Sequence, residues 1–279
     1  MRIFIASDLH LGVSAQGDKS FRSLAKYVNE HGTEDDVLMI LGDIGIDDVF
    51  VQKALQHFQD FRGKKLAIAG NHDVWVAQKR DTSSLRYHRQ SAIFRFNGFH
   101  PLEDEPIVSG DIGFAGAMGW HDRTFRDEIG IPDVNYELKT FPKGEVWLDA
   151  HRVNWPYTDK EVVEMQLERL HAQLEALKAS GVTRMIVGMH HVPTKELLFH
   201  PRWLLSKKMR FFNTFLGSQR FGTLLEADRS IPKLVFCGHI HRSANVIKPN
   251  IRYHSVGGSY ASKQLIILDE SLKMRRKSF

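Results

Sequence analysis

Five short apolar runs in this chain each end on residues of the kind that bind metal ions. Ile3-Phe4-Ile5-Ala6 leads to Asp8-Leu9-His10, and Val37-Leu38-Met39-Ile40-Leu41 to Gly42-Asp43. Leu66-Ala67-Ile68-Ala69 leads to Gly70-Asn71-His72-Asp73. Met185-Ile186-Val187-Gly188 precedes His190-His191-Val192-Pro193, and Leu234-Val235-Phe236-Cys237 precedes Gly238-His239-Ile240-His241. Such runs are too short for helices and fit strands buried on both faces. In a parallel sheet the ends of such strands share one edge, so residues far apart in sequence can meet there. Oxygen and imidazole ligands in this number suffice for two metal ions, and paired ions point to phosphate-ester hydrolysis.

The first third alternates strand and helix, which implies a parallel sheet with right-handed crossovers. Helical spacing recurs in Phe21, Leu24, Ala25 and Val28, and in Val51, Ala54, Leu55 and Phe58. Ile112-Gly113-Phe114-Ala115-Gly116 reads as a further strand. Residues 118–156 are rich in Trp, Asp, Gly and Pro without a period, and read as a long loop over the site. Thr158 and Glu161 fit a capping box, followed by an apolar stripe at Val163, Leu167, Leu170, Leu174 and Leu177 and a stop at Gly181.

At 279 residues the expectation is one domain over 1–279, with insertions at about 118–156 and 195–229. The second insertion mixes Phe199, Trp203, Phe211, Phe212, Phe215 and Phe221 with Arg202, Lys207, Lys208 and Arg210. It reads as a helical cap, a membrane-surface patch, a partner-binding arm, or a helical insertion whose aromatics pack on the body.

A single cysteine, Cys237, excludes an internal disulfide. No stretch approaches the ~18 apolar residues of a membrane span, and the first residues run straight into a strand without a signal-type segment. The expected location is therefore cytoplasmic, and membrane association is not expected. The net charge of +5 favours acidic partners such as phosphates. It permits nucleic acid, which no recognition motif supports.

Taken together, the five segments resemble the calcineurin-like metallophosphoesterases, whose motifs are D-x-H, G-D, G-N-H-D/E, a His after a strand, and G-H-x-H. All are present in order between residues 8 and 241. The resemblance implies an α/β fold, a four-layer αββα sandwich, with the inserted loop and helical cap added. It also implies a dinuclear centre. Carried over, Asp8, His10, Asp43 and His241 would hold one ion, and Asp43, Asn71, His239 and one of His190 and His191 the other. The family's His-x-Pro pattern selects His191, while His190 lies nearer the strand. His72 would lie near the phosphoryl group and leaving oxygen. The acid that often follows G-D in the family comes one place late here, at Asp47.

Residue chemistry supports that reading independently. In extended backbone, residues two apart point to the same side, so Asp8 and His10, or His239 and His241, can reach one ion. Asp43 offers two oxygens and can bridge, and Asn71 offers a neutral carbonyl. Two divalent ions (Mn, Fe, Zn or Co fit such ligands) would share a bridging hydroxide available near neutral pH. A protonated His72 would stabilise the phosphoryl oxygens or protonate the leaving alkoxide. Asp73 is expected to orient His72 through its other ring nitrogen or to cap the next helix. His121 is a candidate cleft residue or a loop histidine with a local hydrogen bond, and His254 a candidate phosphate contact. The function expected is hydrolysis of a small phosphomonoester or phosphodiester; the alternative is a catalytically silent metal-binding scaffold or interaction module.

Overall fold

A computed structural model describes residues 1–76, 81–199 and 204–279. Arg202 and Trp203 of the aromatic-basic segment lie outside the described residues. The element order begins β1 (Ile3–Ala6), α1 (Ala15–His31), β2 (Val37–Leu41), α2 (Asp48–Gln56), β3 (Lys64–Ile68), α3 (Ser83–Phe96) and β4 (His100–Pro101). It continues with β5 (Ile107–Ser109), β6 (Ile112–Ala117), α4 (Asp133–Glu137), α5 (Asp149–Arg152), α6 (Asp159–Ala179) and β7 (Arg184–Met189). It ends with α7 (Lys207–Asn213), α8 (Gln219–Ala227), β8 (Lys233–Cys237), β9 (Ala244–Lys248), β10 (Ile251–Ser255), β11 (Gln264–Leu268) and β12 (Met274–Ser278).

Two six-stranded sheets result, ordered β12-β11-β1-β2-β3-β4 and β5-β6-β7-β8-β10-β9. Parallel pairing runs through β1–β4 and through β6, β7, β8 and β10. The sheets are mixed rather than purely parallel, because β11 pairs antiparallel with β1, β5 with β6, and β9 with β10. The antiparallel pairs β5–β6, β9–β10 and β11–β12 join consecutive strands, which need no crossover helix.

The period-2 alternation of strand side chains builds the layers. Ile3 and Ile5 of β1 face the second sheet, in a core with Ile112, Phe114, Ile186 and Phe236. Phe4 and Ala6 face the other way, against Phe21, Leu24 and Val28 of α1 and Val51 and Leu55 of α2. On the far side of the second sheet, Ala115, Val187 and Val235 pack on Val163, Leu167, Leu170 and Leu174 of α6. The order is helices, sheet, sheet, helices: the αββα sandwich. The capping box at Thr158 and Glu161 is formed, and it starts α6 one residue after Thr158.

Segment 118–156 is less bare than a loop, since it carries α4 and α5. In the other aperiodic segment, Phe211 and Phe215 are buried against Ile129, Ile131, Tyr136 and Phe141, and Phe221 lies in the core beneath the second sheet. Of its expected readings, the helical insertion with packed aromatics describes these residues. No helix among the described residues is long and apolar enough to cross a membrane.

Candidate metal centre

The chain turns abruptly where its ligand-type residues sit. Asp8, His10, Asp43, His239 and His241 all adopt positive φ, between 46° and 69°. This left-handed backbone is costly for residues with a Cβ, and its concentration at one place marks a functional site. It also changes the reason the D-x-H and H-x-H pairs converge. The chain is not extended there; it turns at each ligand and buries Leu9 between the first two. Glycine serves these turns in two ways. Gly42 has φ +78°, whereas a Cβ on Gly70 would run into the Asp43 carboxylate.

The result is three groups of side chains whose ligand atoms lie within 4.8 Å of one another: Asp8, His10 and His241; His10, Asp43 and His72; and Asp43, His190 and His239. Asp43 joins them through both its oxygens. Its Oδ2 lies 3.6 Å from His10 Nε2 and 3.8 Å from His72 Nε2. Its Oδ1 lies 3.3 Å from His190 Nε2 and accepts the His72 backbone N–H at 2.9 Å. His10 Nε2 and His241 Nε2 are 3.1 Å apart, and His241 Nε2 is 3.4 Å from Asp8 Oδ1. Asn71 Oδ1 lies 3.0 Å from His190 Nε2.

The choice between the paired histidines moves to His190. Its Nε2 faces Asp43 and Asn71, while its Nδ1 meets the Leu41 carbonyl at 2.9 Å, which fixes the ring. His191 turns instead toward the Met118 carbonyl, at 3.3 Å, and packs edge-on to Trp120. The ring of the first histidine after β7 points across to the other sheet; that of the second stays beside His239, with ring centres 4.3 Å apart and its Nε2 buried and unpartnered.

Asp8, His10, Asp43 and His239 hold the protonation states that metal binding needs, whereas the carboxylates raise His190 and His241 toward the protonated form. Burial pushes the His10 imidazole down to about 3 and the His239 imidazole well below its usual value, so both present neutral rings. Burial pushes the Asp8 carboxyl up, but the hydrogen bond and charge of His241 outweigh it and hold it at about 2. Burial likewise opposes ionisation of Asp43, and the charges of His190 and His72 overcome it. His190 is raised to about 9, because Asp43 outweighs the effect of burial. An ion bound there would displace that proton. His239 Nε2 is buried without a hydrogen-bond partner, as expected of a ligand atom awaiting an ion. The donor set therefore fits divalent cations of the Mn, Fe, Zn or Co type.

His72 is slightly exposed at the edge of this cluster, its ring stacked on Trp75 at 3.7 Å and 23°. Asp73 does not orient it. The Asp73 carboxylate is buried and accepts the backbone N–H of Ile44 at 2.9 Å and of Gly70 at 2.7 Å, tying two ligand turns together. Nor does it cap a helix through its side chain. Burial, followed by the Asp43 charge, raises it to about 7. Asp47 caps α2 by accepting the Phe50 N–H. His121 is fully buried between Trp120 and Phe215, with no hydrogen bond to either ring nitrogen. His254, in β10, stacks on Phe236 of β8 instead of lining the site.

Three residues absent from the sequence reading complete the centre. Asp149, at the start of α5, accepts Asn71 Nδ2 at 3.0 Å and Trp75 Nε1 at 2.6 Å on Oδ1, and Trp147 Nε1 at 2.9 Å on Oδ2. Taking the Asn71 amide N–H turns its carbonyl toward His190. Tyr260 lays its ring 4.6 Å from that of His10 and 4.8 Å from that of His241. The buried Lys263 donates to the Asp8 carbonyl at 2.9 Å and the Ser259 carbonyl at 2.8 Å, holding the first ligand turn. Burial lowers its ammonium to about 8. No period or motif marks Asp149. Tyr260 follows Gly257-Gly258, the same glycine-then-ligand pattern seen at the other strand ends, which is a signal that could have found it.

A family model described as calcineurin-like phosphoesterase matches residues 1–243. The chain belongs to the calcineurin-like phosphoesterase family. Among solved structures, the phosphoesterase fold here is similar to that of the phosphopantetheinyl hydrolase PptH of Mycobacterium tuberculosis, with a TM-score of 0.72 at 18% identity over 93% of this chain and 89% of that one. It is also similar to the sulfate thiohydrolase SoxB of Thermus thermophilus, with a TM-score of 0.50 at 10% identity over all of this chain and 56% of that one. At such identities the likeness concerns the fold, which hosts different ester chemistries. No curated protein matches the sequence.

Proposed function

We propose that this chain is a metal-dependent phosphoesterase that holds two divalent ions and hydrolyses a small phosphomonoester or phosphodiester. Asp43 carries the reading: one carboxylate faces a separate cluster with each of its oxygens. Asp8, His10 and His241 would hold one ion with Asp43, and Asn71, His190 and His239 the other. When bound, such ions supply an acidified water and positive charge against the phosphoryl oxygens. Asp43 and Asn71 fix the spacing, and the Lys263 and Asp73 hydrogen bonds hold the turns that carry them. His72 sits at the open edge, where its imidazole can pass a proton to the departing ester oxygen as the phosphorus–oxygen bond breaks and the incoming water oxygen bonds to phosphorus. Trp75 stacking restricts the ring to that position. The complete donor set and His72 argue against a silent scaffold.

The test is hydrolysis of p-nitrophenyl phosphate and bis-p-nitrophenyl phosphate with Mn²⁺ supplied. Turnover of either ester that a chelator abolishes supports the proposal. No turnover of either after reconstitution refutes it.

A further inference from the structure

A cavity of about 410 Å³ opens over the candidate centre. Its floor is the ligand cluster and His72; its walls are Trp75, Trp147, Leu148, Phe212 and Tyr260. We propose that this cavity selects a phosphoester whose leaving group is uncharged, apolar and flat-faced, a proposal that rests on the phosphoesterase reading above.

The wall is continuous with the reacting centre. Trp75 stacks on His72, and Trp147 meets His239 edge-on with ring centres 5.9 Å apart. Phe212 extends that wall, 6.1 Å from Trp147 at 32°. A group leaving past His72 therefore meets aromatic side chains first. The two indoles offer it little hydrogen bonding. Both N–H donors end on the Asp149 carboxylate, so they are consumed within the wall.

Charge gives the same answer. Among the described residues lining the cavity there is no Lys or Arg, and the acidic side chains present are Asp43 and Asp149. With Asp43 engaged by the ions, a second phosphate or a carboxylate reaching past them along the aromatic wall would find Asp149 and no Lys or Arg to pair it, which is costly. The volume sits at the lower end of the ~300–1,000 Å³ typical of small-molecule sites, so it suits a compact group. Trp147 comes from segment 118–156 and Phe212 from α7, the aperiodic parts of the chain. Surface segments on a rigid scaffold commonly carry specificity.

The experiment compares ethyl phosphate, 2-phenylethyl phosphate and 2-carboxyethyl phosphate, together with the methyl diester of each, on the Mn²⁺-loaded full chain. The alcohols released are all primary, so intrinsic leaving ability differs little. In whichever ester class turns over, kcat/KM for the phenylethyl compound is expected to exceed that of the ethyl compound by roughly tenfold or more. The carboxyethyl compound is expected to fall below both. Trp147→Ala and Phe212→Ala should each collapse the phenylethyl-to-ethyl ratio toward one; the second variant guards against misfolding of the first. Equal kcat/KM for the three compounds, or a ratio that survives in both folded variants, overturns the apolar-pocket assignment while leaving the phosphoesterase reading intact. Absence of turnover on all six esters by a chain that hydrolyses a p-nitrophenyl ester overturns this proposal alone; absence on the p-nitrophenyl esters as well overturns the phosphoesterase reading and this proposal with it.

Discussion

Replacing Asp149 by Asn tests how the centre is held. The carboxylate accepts three donors, two on Oδ1 and one on Oδ2. An asparagine has the same shape but only one accepting oxygen. In its better orientation it keeps Asn71 and Trp75 and points an NH₂ at the Trp147 indole N–H, donor against donor. In the flipped orientation it loses both Oδ1 partners. One lost charge-assisted bond with its donor left unpaired costs roughly 1–3 kcal/mol. That corresponds to about 2–10 °C in the melting temperature of a chain of this size. The Asn71 amide is then held by a weaker, neutral acceptor, and in the flipped orientation by none, so affinity for the ion beside His190 and His239 should fall, by about 10–100-fold where the bond is lost, the usual consequence of removing a partner behind a metal ligand. Thermal melts of the metal-free protein and Mn²⁺ titration by calorimetry read the two effects separately. A variant that melts lower yet binds both ions as tightly as wild type would refute the claim that Asp149 orients Asn71. An unchanged melting temperature would refute the hydrogen-bond count itself.

Three further outcomes follow from the site and its surroundings. His72→Ala should keep its metal content and lose turnover by about 10²–10⁴-fold, measured by steady-state kinetics beside elemental analysis; turnover at the wild-type rate would remove His72 from the chemistry. His190→Ala should lose metal and activity together while His191→Ala retains metal, and the reverse pattern would restore the His-x-Pro assignment. Glu103 is buried near 4% exposure, and burial raises its carboxyl to about 7 against the three donors Ala69 N, Tyr87 Oη and Met118 N. Its folded form binds a proton that the unfolded chain has released above about 4.5, so its contribution to stability is full below that pH and lost as pH rises through about 7. The loss is roughly 3 kcal/mol. Urea midpoints at pH 5 and pH 8 should therefore differ less in Glu103→Gln than in wild type; parallel falls would contradict the assignment.

Much of the centre was legible because each ligand follows a short apolar run, and a strand's end fixes where the next residues go. Asp8, His10, Asp43, Asn71, His239 and His241 meet as their positions imply. The reason offered for the two-apart spacing was not the one the backbone uses: these residues turn with positive φ, a conformation that single-residue patterns do not reveal. His190 and His191 are adjacent and chemically identical, so only the direction of the chain leaving β7 separates them. Asp73 was misread because its partners, Ile44 and Gly70, lie on backbone brought near by the fold and not on the neighbouring histidine. Asp149 was invisible for a related reason. It sits in a segment without period, and its role depends on Asn71 and Trp75, more than seventy positions away in sequence. Short strands are legible between Asn245 and Leu268, but β5 and β12 were missed because they are partly exposed and lack the dense apolar runs of the central strands.

The most direct test is the metal content of the purified, Mn²⁺-reconstituted protein and of Asp43→Asn, by elemental analysis. If Asp43 faces two ions with its two oxygens, wild type should hold two per chain, and the variant should lose metal and hydrolysis together. A wild-type chain that holds no more than one ion yet turns over, or an Asp43→Asn variant that retains two ions, would contradict the account.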